Sequence, residues 1–154
     1  LFFSDRLHCS RCHAGFTFSG PAVWQGSAEA APAFFNNGLD AASGAADPGL
    51  FTVSRRRADR GRFRAPTLRN IAATSPYMHD GRFATLEAVV DHYASGGSAA
   101  RNRSRLVAGF AITAEEKCDL IAFLESLTDE GFLKDPRLSN PWPRDNRPSY
   151  GTSE

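Results

Sequence analysis

Apolar residues recur at helical spacing in the second half of the chain. One such stretch begins at Thr85, whose side chain can cap a helix, and runs to about Ser95. Gly96 and Gly97 then stop it. Its apolar face consists of Leu86, Val89, Val90 and Tyr93. This pattern predicts a helix packed on the core, with Tyr93 pointing inward.

A second helix is predicted to begin near residue 113. Thr113 and Glu116 have the spacing of a capping box, in which each side chain bonds the other residue's main chain. The apolar positions that follow are Leu120, Ile121, Phe123, Leu124 and Leu127. We interpret this segment as a core helix, and Cys118 within it as a small buried apolar residue.

The remaining elements are predicted to be short. Residues 4–14 are expected to form a helix that Ser4 caps. Another helix should begin at 66–71 and end at 74–76, because Ser75 before a proline favours an extended backbone. Residues 15–50 are rich in Gly, Ala, Pro, Asn and Ser, which is typical of loops, and no strand is convincing. We therefore predict a mostly α-helical domain with long loops over residues 1–134, followed by an extended tail over 135–154.

Composition narrows the class of protein. The 154 residues fit a single domain, and a hydrophobic fraction of 42% is enough for a core. A formal net charge of +1 argues against a protein that binds nucleic acid through bulk charge. No apolar run approaches the length of a membrane-spanning helix.

Residues 9–13 read Cys-Ser-Arg-Cys-His, which is the C-x-x-C-H pattern of covalent haem attachment. In this pattern two thiols bind one porphyrin through thioethers, and the next residue is held beneath the iron. We therefore predict a c-type cytochrome domain with one haem c, attached through Cys9 and Cys12, and with His13 as an axial iron ligand.

A redox dithiol, a zinc site and a disulfide framework fit the cysteines less well. A thioredoxin-like C-x-x-C requires a βαβ context, and no predicted strand leads into this one. A zinc site requires two further ligands at suitable spacing, and the chain has no second C-x-x-C. Three cysteines in total are too few for a disulfide framework.

Arginine is concentrated in residues 54–64, and Arg69 follows shortly after. Most of these side chains are expected to be solvated. One or two should pair with the haem propionates, because the guanidinium fork binds carboxylates in a bidentate manner. Arg69 is the candidate for this role.

The sixth iron ligand has four candidates, Met78, His79, His92 and Tyr93. Chemistry alone favours Met78, the only methionine, because His/Met ligation is common in electron-transfer cytochromes c. His92 and Tyr93 are adjacent on the predicted helix, so they cannot both face the iron.

Several segments in fixed order, together with the haem motif, resemble a known family. They read RAPTLRN at 64–70, PYMHDG at 76–81 and ATLE at 84–87, and the match continues through 116–124. They are similar to the C-terminal haem domain of MauG proteins and bacterial di-haem cytochrome c peroxidases. The ending PRLSNPW at 136–142 is similar to the MbnH-like branch of that family.

The resemblance implies features that the residues alone do not. Members carry two haems in two domains, so a peroxide-binding haem domain is expected upstream of this chain. Tyr93 falls where the peroxidases have a methionine ligand and MauG-type proteins have a tyrosine, which favours Tyr93 over Met78. A calcium ion between the domains would be bound partly by the backbone oxygens of Thr74 and Pro76.

The implied function is that of a periplasmic oxidoreductase. Hydrogen peroxide would react at the upstream haem, and a haem ligated by Tyr93 would share the oxidising equivalents as high-valent iron. These would pass to a substrate, such as a protein side chain. One alternative is a cytochrome c peroxidase fed by a small donor protein, which ligation by Met78 would favour. Another is an electron-transfer cytochrome that is not an enzyme.

Two positions depart from the family. Phe35 stands where members often have a histidine, in the segment FFNNG at 34–38. Leu7 stands where some MauG proteins have a tryptophan, two residues before the first cysteine. The electron route of those proteins therefore cannot be transferred to this chain. Trp24 and Trp142 are candidate relays, although structural packing is the commoner role of tryptophan.

Overall fold

Two helices form the centre of the fold, and both begin where the sequence predicts. The structure is a computed structural model that describes residues 1–20, 34–40 and 47–140. Helix α3 covers Leu86–Ala94, and the Thr85 hydroxyl accepts a hydrogen bond from its third residue. Helix α4 covers Ala114–Ser126 and opens with both hydrogen bonds of the capping box. An ion pair of 2.7 Å between Lys117 and Asp91 joins the two helices.

The core lies between these helices and the N-terminal residues. Its buried side chains are Phe2, Leu7, Leu68, Tyr77, Leu86, Val90, Leu120, Leu124 and Leu127. Full burial of one large apolar side chain stabilises a fold by about 1.5–3 kcal/mol. Leu7 is buried two residues before the haem motif, so the core fixes the chain close to the point where the motif begins.

The other elements are short. They are helices α1 at Cys9–Cys12, α2 at Phe51–Ser54 and α5 at Glu130–Lys134, and strands β1 at Phe34–Phe35 and β2 at Phe63–Arg64. Three 3-10 turns cover Arg57–Asp59, Ile71–Ala73 and Pro136–Leu138. The strands pair in antiparallel fashion, with Phe34 opposite Arg64 and Phe35 opposite Phe63. This small sheet was not expected from the sequence.

Two predicted helices are shorter than expected. Within 4–14 only α1 is α-helical, and its preceding residue, His8, has the left-handed backbone that ends regular structure (φ 60°). The Ser4 hydroxyl donates to the Leu1 carbonyl instead of capping a helix. Of the segment 66–74, only Ile71–Ala73 forms a 3-10 turn, because Asn70 before it is also left-handed (φ 60°).

Cys118 is exposed, so the prediction that it is buried was wrong. The buried positions of α4 are Leu120 and Leu124, four residues apart on one face. Cys118 shares the opposite face with Ala122 and Glu125, which are also exposed.

The fold class is confirmed in its coarse form, since helices carry the core and the only paired strands in the described ranges are two residues long. In those same ranges no helix is long and apolar enough to cross a membrane.

Candidate functional site

The haem motif occupies a single helical turn. Cys9 and Cys12 are the first and last residues of α1, and residues three apart lie on the same side of a helix. Both thiols are free and partly buried. The two groups that would bind a porphyrin therefore project from one side of one turn.

His13 follows this turn, and its ring is oriented by the main chain. Its Nδ1 lies 2.9 Å from the Phe18 carbonyl oxygen and 3.2 Å from the Pro66 carbonyl oxygen. Because both partners only accept hydrogen bonds, Nδ1 carries the proton. The unprotonated Nε2 is then the nitrogen with a lone pair for a metal, as in histidine ligands whose other nitrogen bonds a carbonyl.

Burial shifts the pKa values of three side chains of the motif. It lowers the pKa of His13, which favours the neutral imidazole that can bind iron, although the two carbonyl partners oppose the shift. It also raises the pKa of Cys9. The pKa of Cys12 rises to about 11, first through burial and then through the neighbouring Cys9. Both thiols are therefore protonated at neutral pH in the folded, haem-free chain.

Residues 66–70 bind the loop at 16–18, which contains the Phe18 carbonyl that orients His13. The Thr67 hydroxyl donates to the Thr17 carbonyl. The Arg69 guanidinium donates to the Phe16 carbonyl through Nε (3.2 Å) and Nη2 (3.0 Å), and it lies over the rings of Phe16 and Phe18 at 4.8 and 5.3 Å. Arg69 therefore fixes the backbone on which His13 depends. Its pairing with a haem propionate stays a prediction.

Tyr93 lies in α3, one residue before its end. Burial raises the pKa of its phenol, and the negative charge that Cys12 and Cys9 can carry raises it further. Hydrogen bonding to Asn37 lowers that pKa and partly offsets both effects. Tyr93 is thus close enough to both cysteines for their charge to act on its phenol.

Asn37 also connects the other ligand candidates. Its side-chain amide donates to the sulfur of Met78 at 3.4 Å. Its main-chain carbonyl oxygen lies 2.9 Å from Nε2 of His92. Met78 has a left-handed backbone (φ 73°), which is uncommon for a residue other than glycine. His79 is exposed and stacks on the Phe63 ring, with centroids 3.8 Å apart. Tyr93, Met78 and His92 therefore converge on Asn37, whereas His79 does not.

The residues present fit a covalently attached haem. Two thiols three residues apart, an imidazole with its Nε2 left for metal, and a phenol are groups that could hold a c-type haem and its iron. Among the described residues no group of three or more His, Cys, Asp or Glu side chains could hold a bare metal ion.

Thr74 and Pro76, the candidates for calcium, are both exposed. The Thr74 hydroxyl donates to the Ile71 carbonyl at 3.0 Å. Within the described ranges, the main-chain carbonyls of Thr74 and Pro76 accept no main-chain or side-chain hydrogen bond.

Sequence reasoning missed Asn37, Thr67 and Phe18. Their contacts join residues separated by up to 55 positions, for which a single sequence carries no local signal. Of the departures from the family, Phe35 lies in β1 and Leu7 is buried in the core. Trp24 and Trp142 lie outside the described residues.

Comparison with known proteins identifies relatives of this chain, although no protein-family model matches it. It is 45% identical to the cytochrome-c peroxidase IdrP1 of Pseudomonas sp. (strain SCT) over 53% of the chain. It is 34% identical to the methylamine utilization protein MauG of Methylorubrum extorquens over 83% of the chain. A solved structure of a MauG-like protein associated with microbial copper homeostasis matches 92% of the chain, with a TM-score of 0.83 and 41% identity.

The chain is much shorter than these relatives. The matched regions cover 22% of the peroxidase, 33% of MauG and 49% of the MauG-like structure.

Proposed function

The chain belongs to the family of MauG proteins and bacterial di-haem cytochrome c peroxidases, and we propose that it is the C-terminal haem domain of a peroxide-dependent oxidoreductase of this family. The observation that carries the proposal is the orientation of His13. Its Nδ1 is bonded by two carbonyls, beside two free thiols at the spacing of haem attachment. When bound there, a haem c would supply one-electron redox chemistry.

Within this proposal each residue of the site has a separate task. Cys9 and Cys12 attach the haem, and His13 binds the iron through Nε2. Arg69 holds the loop that accepts the His13 hydrogen bond, as its two contacts with the Phe16 carbonyl indicate. A propionate of the haem is a further partner for the same guanidinium.

Tyr93 is the proposed sixth ligand. Burial opposes ionisation of its phenol, so the charge of ferric iron would have to supply the compensating stabilisation. The hydrogen bond from Asn37 acts in the same direction as the iron, because it stabilises the phenolate. A phenolate is a hard anionic donor that favours the oxidised metal, which suits a haem that stores oxidising equivalents.

The wider reaction requires partners outside this chain. Hydrogen peroxide would react at a second haem in an upstream domain, consistent with the fraction of its relatives that the chain covers. The substrate is proposed to be a protein side chain or another reduced group. We place the protein in the periplasm, where C-x-x-C-H proteins of this family act, with calcium bound at the carbonyls of Thr74 and Pro76.

A second candidate function is a cytochrome c peroxidase that draws electrons from a small donor protein. The observation in its favour is the Met78 sulfur, which lies within 3.4 Å of the same Asn37 amide that interacts with Tyr93. Thioether ligation raises the reduction potential relative to an anionic ligand and suits electron delivery. An electron-transfer cytochrome without peroxide chemistry is the remaining alternative.

The decisive experiment uses the complete, haem-loaded protein. Stoichiometric hydrogen peroxide is added to the fully ferric form while optical and near-infrared spectra are recorded. The proposal expects a long-lived oxidised species that forms without prior reduction. A reaction that begins only after one haem has been reduced would overturn the MauG-type proposal in favour of the peroxidase. If neither the fully ferric nor the partly reduced protein reacts with peroxide, the remaining function is that of an electron-transfer cytochrome.

A further inference from the structure

Positive charge is concentrated in two short segments of the chain. Residues 55–64 and 101–105 contain nine arginines and a single carboxylate, Asp59. Their formal charge is +8, whereas the whole chain carries +1, so all other residues together carry −7. The nine arginines are Arg55, Arg56, Arg57, Arg60, Arg62, Arg64, Arg101, Arg103 and Arg105. These two segments therefore carry a large local excess of positive charge.

The structure brings the two segments together. The side-chain amide of Asn102 donates to the carbonyls of Ala58 (3.3 Å) and Arg60. Its own carbonyl accepts from the Asn36 amide at 3.0 Å. Residues about 40 positions apart thus form one basic surface, which we define as residues 55–64 and 101–105.

Four of the nine guanidinium groups have partners within the fold. Arg56 and Arg62 lie 3.9 and 3.4 Å from the buried carboxylate of Asp59. Arg60 covers the ring of Phe51 at 4.6 Å, and Arg103 donates to the Gly96 carbonyl. The other five side chains are exposed and make no hydrogen bond or ion pair within the described part of the chain. They are Arg55, Arg57, Arg64, Arg101 and Arg105.

The basic surface adjoins the candidate haem site. Phe63, between Arg62 and Arg64, pairs with Phe35 in the sheet and stacks on His79. The chain continues from Phe35 through Asn36, which bonds Asn102, to Asn37, which contacts Met78 and Tyr93. One short run of residues therefore separates the exposed arginines from the proposed sixth ligand.

We propose that the basic surface docks an acidic protein that exchanges electrons with this haem domain, as redox partner or oxidised substrate. The proposal rests on the proposed function. Guanidinium groups form strong, bidentate hydrogen bonds with carboxylates, and a concentrated charge accelerates the approach of an oppositely charged protein. Position beside the redox site is useful to a protein that exchanges electrons, whereas a lipid surface gains nothing from it.

The surface is poorly suited to nucleic acid. Proteins that bind single strands combine basic residues with aromatic rings on which the bases stack. Here Phe63, the one aromatic residue of the surface, lies against His79, and the neighbouring ring of Phe51 lies beneath Arg60, so both rings already have a partner. The exposed arginines therefore offer positive charge without free aromatic rings, and this charge is complementary to the carboxylates of an acidic protein.

The test measures binding of the complete, haem-loaded protein to a small, strongly acidic [2Fe–2S] ferredoxin. Titration calorimetry at low and high salt is compared for the unaltered protein, the triple variant R57Q/R101Q/R105Q and the control R6Q/K134Q/R137Q. The control removes the same charge from exposed ion pairs outside the basic surface. Hydrogen exchange then locates the bound region.

We expect the triple variant to weaken binding by on the order of tenfold at low salt, and the control to change it less than about twofold. Protection from exchange should cover 55–64 and 101–105 and should disappear at high salt. Equal weakening in both variants, absence of binding, or protection elsewhere would overturn the proposal. So would tighter binding of a single-stranded DNA or of anionic lipid vesicles than of the ferredoxin.

The outcome is separable from that of the proposed function. Within the described ranges none of the three altered arginines makes a hydrogen bond, ion pair or ring contact with a haem-site residue, so the spectral response to hydrogen peroxide should be the same in all three proteins. If that response is absent from the unaltered protein, the proposed function fails while the binding result still stands. If it is present and docking is not, only the docking proposal fails.

Discussion

Asn37 and Met78 are joined by a hydrogen bond from the side-chain amide to the sulfur, at 3.4 Å. The Asn37 side chain also interacts with Tyr93. The main-chain carbonyl oxygen of Asn37 lies 2.9 Å from Nε2 of His92. One asparagine thus interacts with both leading candidates for the sixth iron ligand. We therefore expect Asn37 to influence which of these two side chains can bind the iron.

Replacement of Asn37 should alter the ionisation of Tyr93. In N37L the hydrogen bond that lowers the Tyr93 pKa is lost while burial is retained, so that pKa should rise. Tyrosinate ligation would then require a higher pH than in the unaltered protein. The measurement is a pH titration of the ferric spectrum, with N37Q, which keeps an amide, as the control. A titration midpoint unchanged in N37L contradicts the role given to Asn37.

Substitution of the two ligand candidates should have opposite consequences. Y93F is expected to lose the long-lived species formed with peroxide, because no anionic donor remains. M78L conserves side-chain volume and should retain that species, with stability within about 1.5 kcal/mol of the unaltered protein. Spectra and thermal unfolding of both variants provide the comparison. Loss of the species in M78L and its retention in Y93F would assign the ligand to Met78.

Removal of the Arg69 guanidinium should loosen the loop that orients His13. R69L deletes two hydrogen bonds to the Phe16 carbonyl and the contacts over two rings. Arg69 is exposed, so we expect a loss of only about 1 kcal/mol in the free energy of unfolding. The reduction potential of the haem should shift as well, since the His13 hydrogen bond changes. R69K keeps the charge and should show a smaller effect; equal potentials in R69L and the unaltered protein would argue against this linkage.

The thiols of the haem-free domain should react slowly while it is folded. A pKa of about 11 for Cys12, against an ordinary value of 9.0, leaves about a hundredfold less thiolate at neutral pH. The greater nucleophilicity of a more basic thiolate offsets about tenfold of this, so a net factor of about ten remains. Alkylation of Cys12 should therefore accelerate by at least that factor in denaturant. Cys118, which is exposed, serves as the internal control, and equal acceleration at both cysteines would contradict the effect of burial.

Calcium removal should destabilise the complete protein if the carbonyls of Thr74 and Pro76 are ligands. A chelator is expected to lower the melting temperature, and added calcium should restore it. Magnesium should not, because it is smaller and requires a stricter geometry. Thermal scans with and without chelator give the comparison. A melting temperature that does not respond to the chelator would remove calcium from the proposal.

The sequence predicted those elements whose determinants are local. Thr85 and Thr113 each bond an amide three residues away, so the start of α3 and of α4 can be identified within one turn. The haem motif is equally local. The prediction that Cys118 is buried follows from the many apolar positions of its helix. Its spacing from the buried Leu120 and Leu124 instead places it on the solvent-exposed face of α4.

The environment of the site was not predictable, because its determinants are distant along the chain. The segment 66–70 reads as the start of a helix, yet Thr67 and Arg69 bond residues 50 and 53 positions earlier. A helix there would direct those side chains elsewhere. Asn37 likewise carries no local signal in the sequence, and only the fold brings it to Met78, Tyr93 and His92.

The two hydrogen bonds of His13 also have a consequence for the order in which such a domain matures. The five residues that would attach the haem are complete once position 13 has been synthesised. One of the carbonyls that aim the imidazole arrives with Pro66, 53 residues later. If these residues hold a haem, we expect attachment to require residues 9–13 alone, whereas the orientation of the His13 ring requires the folded domain. We therefore expect the haem to be attached before the domain has folded. Folding would then orient the His13 ring and so set the redox properties of the bound haem.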